Sequence, residues 1–367
     1  MTLLTTNLQY KNILILNLRK IGDTIMATSS AYLLKKAYPE AKITMLVKPL
    51  TKSIVENNPV IDEVLLYDYS HKAKWNDIKK SVDELKSKNF DLAVVIDNKP
   101  RSAMLSYLAK IPKRIGFEKI TLRNIYLTLF YTDIYKVDYD FINTQQVKNH
   151  EIFINRITGR FDKAKMVMPN LSNESQLKVS SLLDNLSKNR LNVALCIRSG
   201  IKFKDWSQEN FIKVLNFLNQ KYELNFYVVG SANDYDYAQS FIEQSKINIV
   251  NFCGKTNLPE LGYLLKQSDL LLSVDTGTAH IAAAQETDTI VIFAGTSHKH
   301  WAPYGNKVKV VYPKLSCYPC SDKERKQCKS YPCLENIDID NVIEFCKDII
   351  EHKRGACLNR TVAHDSL

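Results

Sequence analysis

The sequence NILILNLRKIGDTIMATSSAYLLKKAYPEAKITMLV, residues 12–47, contains two apolar runs, 12–18 and 42–47, separated by a longer mixed segment. The apolar runs predict β-strands, and the segment between them predicts a helix from about Asp23 to Tyr38. Strands that read as continuous apolar runs are typical of parallel sheets covered by helices on both faces. The sequence therefore predicts a β-α-β unit of an α/β fold.

The same alternation continues through residues 63–68, 75–88 and 90–97, and then restarts over 192–295. We therefore expect two doubly wound, Rossmann-like parallel-sheet domains. The Tyr-rich residues 120–145 break the alternation and predict an excursion on the rim of the first sheet. Pro169 and the Asn/Ser content of residues 161–175 indicate a linker, and the residues after Lys353 a frayed tail. The expected divisions are 1–170, a linker with a helix over 171–190, 191–340, and a C-terminal helix with its tail over 341–367.

The composition narrows the class of protein. Among 367 residues, 50 Lys and Arg outnumber 39 Asp and Glu, which gives a formal charge of +11 and favours an anionic partner. The lysines are scattered along helical segments, so we expect solvated helix faces and no nucleic-acid partner. No apolar run approaches the ~18 residues of a membrane span. With no basic leader or cleavage site at the N-terminus, we expect a cytoplasmic protein.

Two loops that follow strands carry candidate catalytic or binding groups. Gly22 and Asp23 follow the first strand, where Gly22 is expected to permit a turn and Asp23 is either the helix N-cap or a general base. Arg198 and Ser199 follow the strand over 192–197, with Lys202 and Lys204 shortly after. Cations on such a loop suit a phosphate, although lysines there are usually only surface residues.

A third loop, SVDTGTAH, covers residues 273–280 after a buried apolar run. Asp275 is expected to cap the helix that begins at Thr276 and Gly277, whose free amides and dipole favour an anion. Gly277 has no Cβ, so a phosphate could approach the backbone closely. His280, one turn later, would donate to the anion or to a sugar hydroxyl. A capped helix with no ligand explains Asp275 and Gly277 equally well.

Several segments together resemble the ADP-heptose:lipopolysaccharide heptosyltransferases of glycosyltransferase family 9. The resemblance covers roughly residues 11–350 and is carried, in order, by residues 17–47, 58–68 (NPVIDEVLLYD), 90–97 (FDLAVVID), 114–117 (RIGF), 204–211 (KDWSQENF), 273–284 (SVDTGTAHIAAA) and 294–305 (AGTSHKHWAPYG). It implies a GT-B fold in which an acceptor-binding N-terminal domain and a nucleotide-sugar-binding C-terminal domain face a central cleft. It also implies an inverting transfer that requires no cofactor for catalysis.

The resemblance also implies roles for individual residues. Asp23 matches the proposed catalytic base, and Lys204 matches a lysine that contacts the donor phosphates. The segment that holds the diphosphate and sugar of the donor corresponds to Asp275, Thr276, Gly277 and His280, and Thr296 is expected to line the same pocket. The acidic ribose contact of the family has no clear counterpart, and Asp234 is our assignment for it.

Cys317, Cys320, Cys328 and Cys333 have the spacing C-x2-C-x7-C-x4-C. Four thiolates spaced in this way can close a tetrahedral site for zinc or iron. Reduced cysteines in a loop, or disulfides formed on oxidation, explain the spacing as well, so both interpretations stay open. Four protein ligands would leave no open position on a metal, which argues against a catalytic role.

The expected function is transfer of heptose from ADP-L-glycero-D-manno-heptose to the anionic inner core of lipopolysaccharide. The basic charge suits such an acceptor and would also suit peripheral contact with the inner face of the cytoplasmic membrane. Transfer of heptose to hydroxyls of an acceptor protein, of the autotransporter type, is an alternative that the cysteines keep open. A nucleotide-sugar-binding protein without turnover is a third interpretation, which the presence of Asp23, Lys204 and the 275–280 segment disfavours.

Overall fold

The computed structural model describes residues 9–68, 75–118 and 125–364, with the backbone alone for residues 118 and 356–364. The chain divides into two compact units, Met1–Asn170 and Leu171–Leu367. We call them the N-terminal unit and the C-terminal unit and describe each by itself.

The described part of the N-terminal unit contains a six-stranded parallel sheet in the order β3-β2-β1-β4-β5-β6. Its strands are β1 (Asn12–Asn17), β2 (Lys42–Val47), β3 (Glu63–Leu66), β4 (Leu92–Val95), β5 (Lys113–Glu118) and β6 (Asp133–Lys136). Its helices are α1 (Ile21–Ala37), α2 (Lys52–Val55), α3 (Trp75–Ser87), α4 (Pro100–Leu108) and α5 (Gln146–Thr158), with 3-10 turns at Pro49–Thr51 and Ile125–Leu129.

The central strands form the core of this unit. Ile13, Leu14, Ile15 and Leu16 on β1 are completely buried, as every residue of β4 is. Both faces of the strands are covered, which explains why their sequences are apolar throughout instead of alternating.

The C-terminal unit repeats this plan, with the sheet order β12-β11-β10-β7-β8-β9 over its described residues. Its strands are β7 (Leu191–Cys196), β8 (Leu224–Val228), β9 (Ile249–Asn251), β10 (Leu270–Val274), β11 (Thr289–Ile292) and β12 (Val308–Val311). Its helices are α6 (Asn173–Leu183), α7 (Gln208–Lys221), α8 (Tyr235–Ser245), α9 (Leu258–Lys266), α10 (Gly277–Ala284), α11 (His298–Trp301), α12 (Asp322–Gln327), α13 (Pro332–Glu335) and α14 (Ile339–His364), with a 3-10 turn at Ala232–Asp234.

The strand order locates the crevices. In each sheet the first three strands lie on one side and the last three on the other. The direction of the strand order therefore reverses between the neighbouring strands β1 and β4, and between β7 and β10. Loops that leave such neighbouring strands turn to opposite faces and open a crevice at the carboxyl edge. The residues directly after β1, β4, β7 and β10 are therefore the ones that the fold offers to a ligand.

The predicted α/β class with two doubly wound parallel sheets is confirmed. The predicted break in the alternation over residues 120–145 is wrong in part, because β6 lies within it and pairs with β5; aromatic residues favour strands. Residues 120–124 of that prediction lie outside the described residues. Where the sequence predicted a frayed tail after Lys353, the described backbone continues α14 to His364.

Candidate functional site

Asp23 lies in the first turn of α1, directly after the β1 loop. The helix begins at Ile21, and its N-cap is Lys20, whose extended backbone makes the transition from the strand without a side-chain cap. Of the two roles considered for Asp23, the N-cap is therefore wrong, and so is the expected turn at Gly22, because both residues are already helical. The partly buried Asp23 carboxylate lies 3.7 Å from Nη1 of Arg19.

A second carboxylate, Asp97, connects the loops after β1 and β4. It is completely buried and accepts hydrogen bonds from Leu18 N at 2.7 Å, Lys99 N at 3.0 Å and Ser102 Oγ at 2.6 Å. Its main-chain oxygen accepts one from Arg19 Nε at 2.9 Å. Asp97 therefore fixes the loop that precedes Asp23 and the guanidinium beside it.

Burial raises the pKa of Asp97, while the hydrogen bonds from Ser102, Leu18 and Lys99 oppose that shift. Sequence reasoning quoted this residue only as the end of FDLAVVID and assigned it no role. The sequence did contain a signal for such a role, because Asp97 is a charged residue directly after a fully apolar run. Burying an unpaired carboxylate at that edge of the sheet would cost free energy, so hydrogen-bond partners for Asp97 were to be expected.

The loop after β7 holds Arg198, Ser199 and Lys204 in place. The carboxylate of Asp205 accepts hydrogen bonds from N and Oγ of Ser199, each at 2.5 Å. Arg198 lies over the ring of Tyr237, 4.8 Å from its centroid, and 3.7 Å from Asp234. These contacts fix the loop along the crevice side of β7. Lys202 in the same loop is exposed.

Asp234 has contacts of its own in the turn after β8. Its Oδ2 accepts hydrogen bonds from N of Ser231 at 3.0 Å and from Oγ at 2.6 Å, which closes a capping box at the start of the Ala232–Asp234 turn. The second oxygen faces Arg198. The carboxylate predicted to contact a ribose is thus already engaged by its own turn and by Arg198.

The loop after β10 is joined to the loop after β7 by an ion pair. Nζ of Lys204 lies 2.5 Å from Oδ2 of Asp275, both side chains are largely buried, and Thr296 Oγ1 donates to the same oxygen at 2.7 Å. Asp275 does not cap α10, contrary to the prediction. Thr276 is the N-cap and accepts from Thr278 N at 2.9 Å, while Gly277 is the first helical residue and His280 is buried in the helix.

The ends of β7 and β10 also meet through Cys196. Its sulfur lies 3.7 Å from Oγ1 of Thr276 and 3.8 Å from the main-chain oxygen of Arg198. Burial raises the pKa of this thiol, so it remains protonated and acts as a small packing group. Sequence reasoning did not identify this contact.

The loop after β11 carries Thr296 and is supported by the cysteine-rich segment, residues 317–333. Gly295 there has a φ of +73°, and its main-chain oxygen accepts hydrogen bonds from Cys320 N at 3.1 Å and Arg325 Nη1 at 3.3 Å. The ring of His298 stacks on Tyr312 at 3.8 Å between centroids, and its Nδ1 lies 2.9 Å from Oη of Tyr318. Burial lowers the pKa of His298, which favours the neutral imidazole.

The predicted metal site of Cys317, Cys320, Cys328 and Cys333 is not supported. All four thiols are free, and they range from exposed at Cys317 to buried at Cys333. Across residues 9–68, 75–118 and 125–364, no three His, Cys, Asp or Glu side chains are grouped so that they could hold a metal ion. Burial raises the pKa values of the Cys320 and Cys333 thiols.

The C-terminal unit thus assembles one group of candidates at its β7/β10 crevice. This group consists of the Lys204 ammonium, the Thr296 hydroxyl and the amides that open α10. Such groups can bind and neutralise a phosphate. The N-terminal unit places Asp23, a proton acceptor, at its β1/β4 crevice.

Comparisons with known proteins find relatives in sequence and in fold. Lipopolysaccharide heptosyltransferase 3 of Escherichia coli K12 is 26% identical over 301 residues, which cover 79% of this chain and 85% of that protein. The crystal structure of a family 9 glycosyl transferase from Veillonella parvula superimposes with a TM-score of 0.82 at 18% identity, over 95% of this chain and 99% of that one. E. coli heptosyltransferase WaaC with ADP gives 0.71 at 17% identity, over 92% and 99%.

The sequence profile of "Glycosyltransferase family 9 (heptosyltransferase)" matches residues 78–330, well over half of the chain. The matched span contains Lys204, Asp275 and Thr296, whereas Gly22 and Asp23 precede it. The chain therefore belongs to glycosyltransferase family 9 and is a glycosyltransferase.

Proposed function

We propose that this enzyme transfers heptose from ADP-L-glycero-D-manno-heptose to the inner core of lipopolysaccharide, with inversion at the anomeric carbon. The observation that carries the proposal is the largely buried Lys204–Asp275 pair beside the N-terminus of α10. The E. coli K12 relative is a lipopolysaccharide heptosyltransferase, and the fold is shared with a heptosyltransferase that binds ADP. Both support the choice of donor and acceptor.

In this proposal the C-terminal unit binds the donor. The diphosphate lies against the first amides of α10, and Gly277 lets it approach the backbone. Lys204 moves from Asp275 towards the phosphate or is shared between the two, and Arg198 and Ser199 lie on the same loop as Lys204. Asp275 and His280 then contact the sugar. Asp234, held by Ser231, is the assigned ribose contact.

The N-terminal unit binds the acceptor and supplies the base. Asp23 takes the proton of the acceptor hydroxyl as its oxygen attacks the anomeric carbon of the heptose. The bond from that carbon to the β-phosphate breaks, and its electron pair leaves with ADP. Lys204, Thr296 and the α10 amides stabilise the charge that develops on the leaving group, so the transfer requires no cofactor.

The place of action follows from the acceptor. Lipopolysaccharide core precursors are anionic glycolipids, so we place the enzyme in the cytoplasm at the inner face of the membrane. Hydroxyls of an acceptor protein are the competing acceptor, and the same experiment distinguishes the two.

The test measures ADP release from ADP-L-glycero-D-manno-heptose with a panel of truncated lipopolysaccharides and with one candidate acceptor protein. Release that depends on one lipopolysaccharide would support the proposal and identify the sugar that is extended. Release with the protein alone would replace the acceptor, and no release with any acceptor would refute the donor.

The Asp23→Asn variant tests the base. We expect turnover to fall at least about 100-fold while ADP affinity is unchanged, because the amide cannot accept the proton. Asp77→Asn is the control, since Asp77 is likewise an aspartate on a helix of the N-terminal unit, but α3 follows β3 at the side of the sheet. Normal turnover by Asp23→Asn would refute the assignment.

A further inference from the structure

The guanidinium of Arg19 lies between the side chain of Asp23 and residue Asp97. Its Nη1 is 3.7 Å from Oδ1 of Asp23, four residues later in the chain. Its Nε donates a hydrogen bond to the main-chain oxygen of Asp97 at 2.9 Å. Burial raises the pKa of Asp97, and the positive charge of Arg19 is among the interactions that oppose the rise. A single cation therefore connects the candidate base on α1 with the buried residue that follows β4.

Residue Asp97 gives Arg19 a fixed anchor. The Asp97 carboxyl is completely buried and accepts hydrogen bonds from Leu18 N, Lys99 N and Ser102 Oγ. Exposed ion pairs contribute little, because holding two long side chains in one geometry costs conformational entropy. The bond from Nε already restricts the Arg19 side chain before it reaches the base, so that cost is smaller here.

The main chain of Asp23 is fixed by other contacts. Asn17, the buried last residue of β1, donates from Nδ2 to Oγ1 of Thr24 at 3.1 Å. Oγ1 of Thr24 in turn donates to the main-chain oxygen of Lys20 at 3.0 Å. These contacts join the end of β1 to the first turn of α1 and involve no atom of Arg19. The contact between Arg19 and Asp23 therefore acts on the direction of the carboxylate and is not needed to hold the helix.

The direction of the carboxylate decides whether Asp23 can act as a base. A general base has to lie within about 2.6–3.2 Å of the oxygen whose proton it takes. A displacement of about 1 Å from such a geometry can lower a rate about a hundredfold. The side chain of an aspartate still rotates about χ1 and χ2 when its main chain is fixed. The contact of Oδ1 with Arg19 restricts that rotation and leaves Oδ2 for an acceptor hydroxyl.

We propose that Arg19 is a positioning residue for the glycosyl transfer. Held by Asp97, it keeps Oδ1 of Asp23 in place so that Oδ2 faces the acceptor hydroxyl. The inference rests on the proposed function, in which Asp23 is the base. The proton passes from the hydroxyl to Oδ2, while Arg19 forms no bond to the substrate and neither gains nor loses a proton.

A cation in this crevice could instead bind an anionic acceptor directly. We favour positioning, because Nε and Nη1 of Arg19 already face protein groups. The two roles differ in the kinetic constant that they control, since direct binding of the acceptor would act on KM and positioning of the base acts on kcat.

The test is steady-state kinetics of Arg19→Gln with the acceptor that supports ADP release by the unsubstituted enzyme. Glutamine keeps much of the length of the side chain and removes its charge. We expect kcat to fall about tenfold while KM for donor and acceptor stays within about twofold, because bound substrate meets a base that is less often in place. Arg19→Lys restores the charge, and its kcat should lie within about threefold of the unsubstituted value.

Two comparisons with a double variant isolate the contact. In the Asp23→Asn background, Arg19→Gln should change kcat less than about twofold, because Arg19 acts only through a carboxylate that is already absent. In denaturant unfolding, which involves no substrate, the combined effect of both substitutions on the unfolding equilibrium constant should differ about threefold from the product of the single effects. Fully multiplicative effects in either measurement would overturn the proposal. So would a raised KM for the acceptor with an unchanged kcat, which would assign Arg19 to acceptor binding.

Arg156→Gln is the matched control. Arg156 lies in the same unit, and its guanidinium likewise donates to a main-chain oxygen, that of Lys136 at 3.0 Å, and to a carboxylate, that of Asp138 at 2.5 Å. Both partners lie at the end of the edge strand β6, away from β1. The kcat and KM of this variant should stay within about twofold of the unsubstituted values. A loss of kcat equal to that of Arg19→Gln would contradict the proposal.

Failure of this inference is distinct from failure of the proposed function. Reduced turnover in Asp23→Asn together with normal turnover in Arg19→Gln would overturn the role of Arg19 alone. Normal turnover in Asp23→Asn would remove the base on which that role rests.

Discussion

At the level of single residues, the Lys204–Asp275 pair has the clearest energetic meaning. Two largely buried charges 2.5 Å apart compensate each other, and Thr296 donates to the same carboxylate. Removing one partner leaves the other buried and unpaired, which costs more than the pair itself contributes. In the proposed mechanism Lys204 serves the leaving group, and its pairing with Asp275 keeps the buried ammonium charge compensated before the donor binds.

Lys204→Met should weaken ADP binding about tenfold to hundredfold, which corresponds to about 1.5–3 kcal/mol for a lost charge-assisted hydrogen bond. It should also lower the free energy of unfolding by about 3 kcal/mol, because Asp275 remains buried without its cation. Calorimetric titration with ADP and denaturant unfolding measure the two effects.

Two controls separate these effects. Lys202→Met removes an exposed lysine of the same loop and should change neither quantity. The double variant Lys204→Met, Asp275→Asn should recover stability but not ADP affinity. Normal ADP affinity in the double variant would remove Lys204 from the phosphate site.

Residue-level roles were the hardest to predict from sequence. Asp275 was expected to cap α10, and the N-cap was one of two roles considered for Asp23, but the N-cap positions belong to Thr276 and to Lys20, the latter without a side-chain cap. The sequence does not fix the first residue of a helix to better than about one to three residues, because many residue types occur both at the N-cap and in the first turn. Asp97 was missed because its role depends on partners from a distant loop.

At the level of elements, the βα loops owe their shape to contacts that follow from the tertiary fold. The loop after β11 is an example, since Gly295 adopts a φ of +73° and a Cβ there would lie 2.9 Å from the ring of Phe203. Its oxygen is held by Cys320 and Arg325 from a segment some 25 residues later. The cysteine-rich segment therefore supports the loop that carries Thr296.

Gly295→Ala should lower the free energy of unfolding by about 2–3 kcal/mol, since it adds left-handed backbone strain and a steric clash. Gly159→Ala is the control, because Gly159 has a φ of +67° and open space around its Cβ position, so only the strain of about 1 kcal/mol applies. Denaturant unfolding measures both. Equal losses in the two variants would show that Phe203 moves aside without cost.

The interior strands of each sheet were predictable, and so were the edge strands β3 and β9, whereas the edge strands β6 and β12 were not. The apolar runs of β1 and β4 are long and bounded, whereas β6 and β12 at the edges have only one fully buried residue between them. Half-buried edge strands lack the apolar signal on which the sequence prediction depends.

At the level of the whole molecule, the two sheets share one strand order, and each crevice is built within a single unit. The side chains proposed to bind the donor, from Arg198 to Thr296, all lie in the C-terminal unit. Segment 164–170 is fixed to the N-terminal unit, because Val167 N donates to Thr28 Oγ1 and Asn58 Nδ2 donates to the oxygen of Val167. The division after Asn170 therefore keeps this segment with the unit that it contacts.

A fragment of residues 171–367 should fold and bind ADP with an affinity within about tenfold of the intact enzyme, or about 1.4 kcal/mol. It should transfer no heptose, because Asp23 is absent. Near-UV circular dichroism and calorimetric titration check both parts, with Lys204→Met in the fragment as the control. A folded fragment without ADP affinity would show that the N-terminal unit contributes to the donor site.

The repeated strand order has a consequence for how such enzymes diversify. Because each crevice is assembled from one continuous half of the chain, we expect substitutions around β1 and β4 to change the proposed acceptor contacts while the nucleotide contacts proposed around β7 and β10 stay intact. Under the proposed function, the acceptor could then change while the sugar donor is retained. Chimaeras joined after Asn170 would combine the N-terminal unit of one such enzyme with the C-terminal unit of another, and so change the acceptor while keeping the donor.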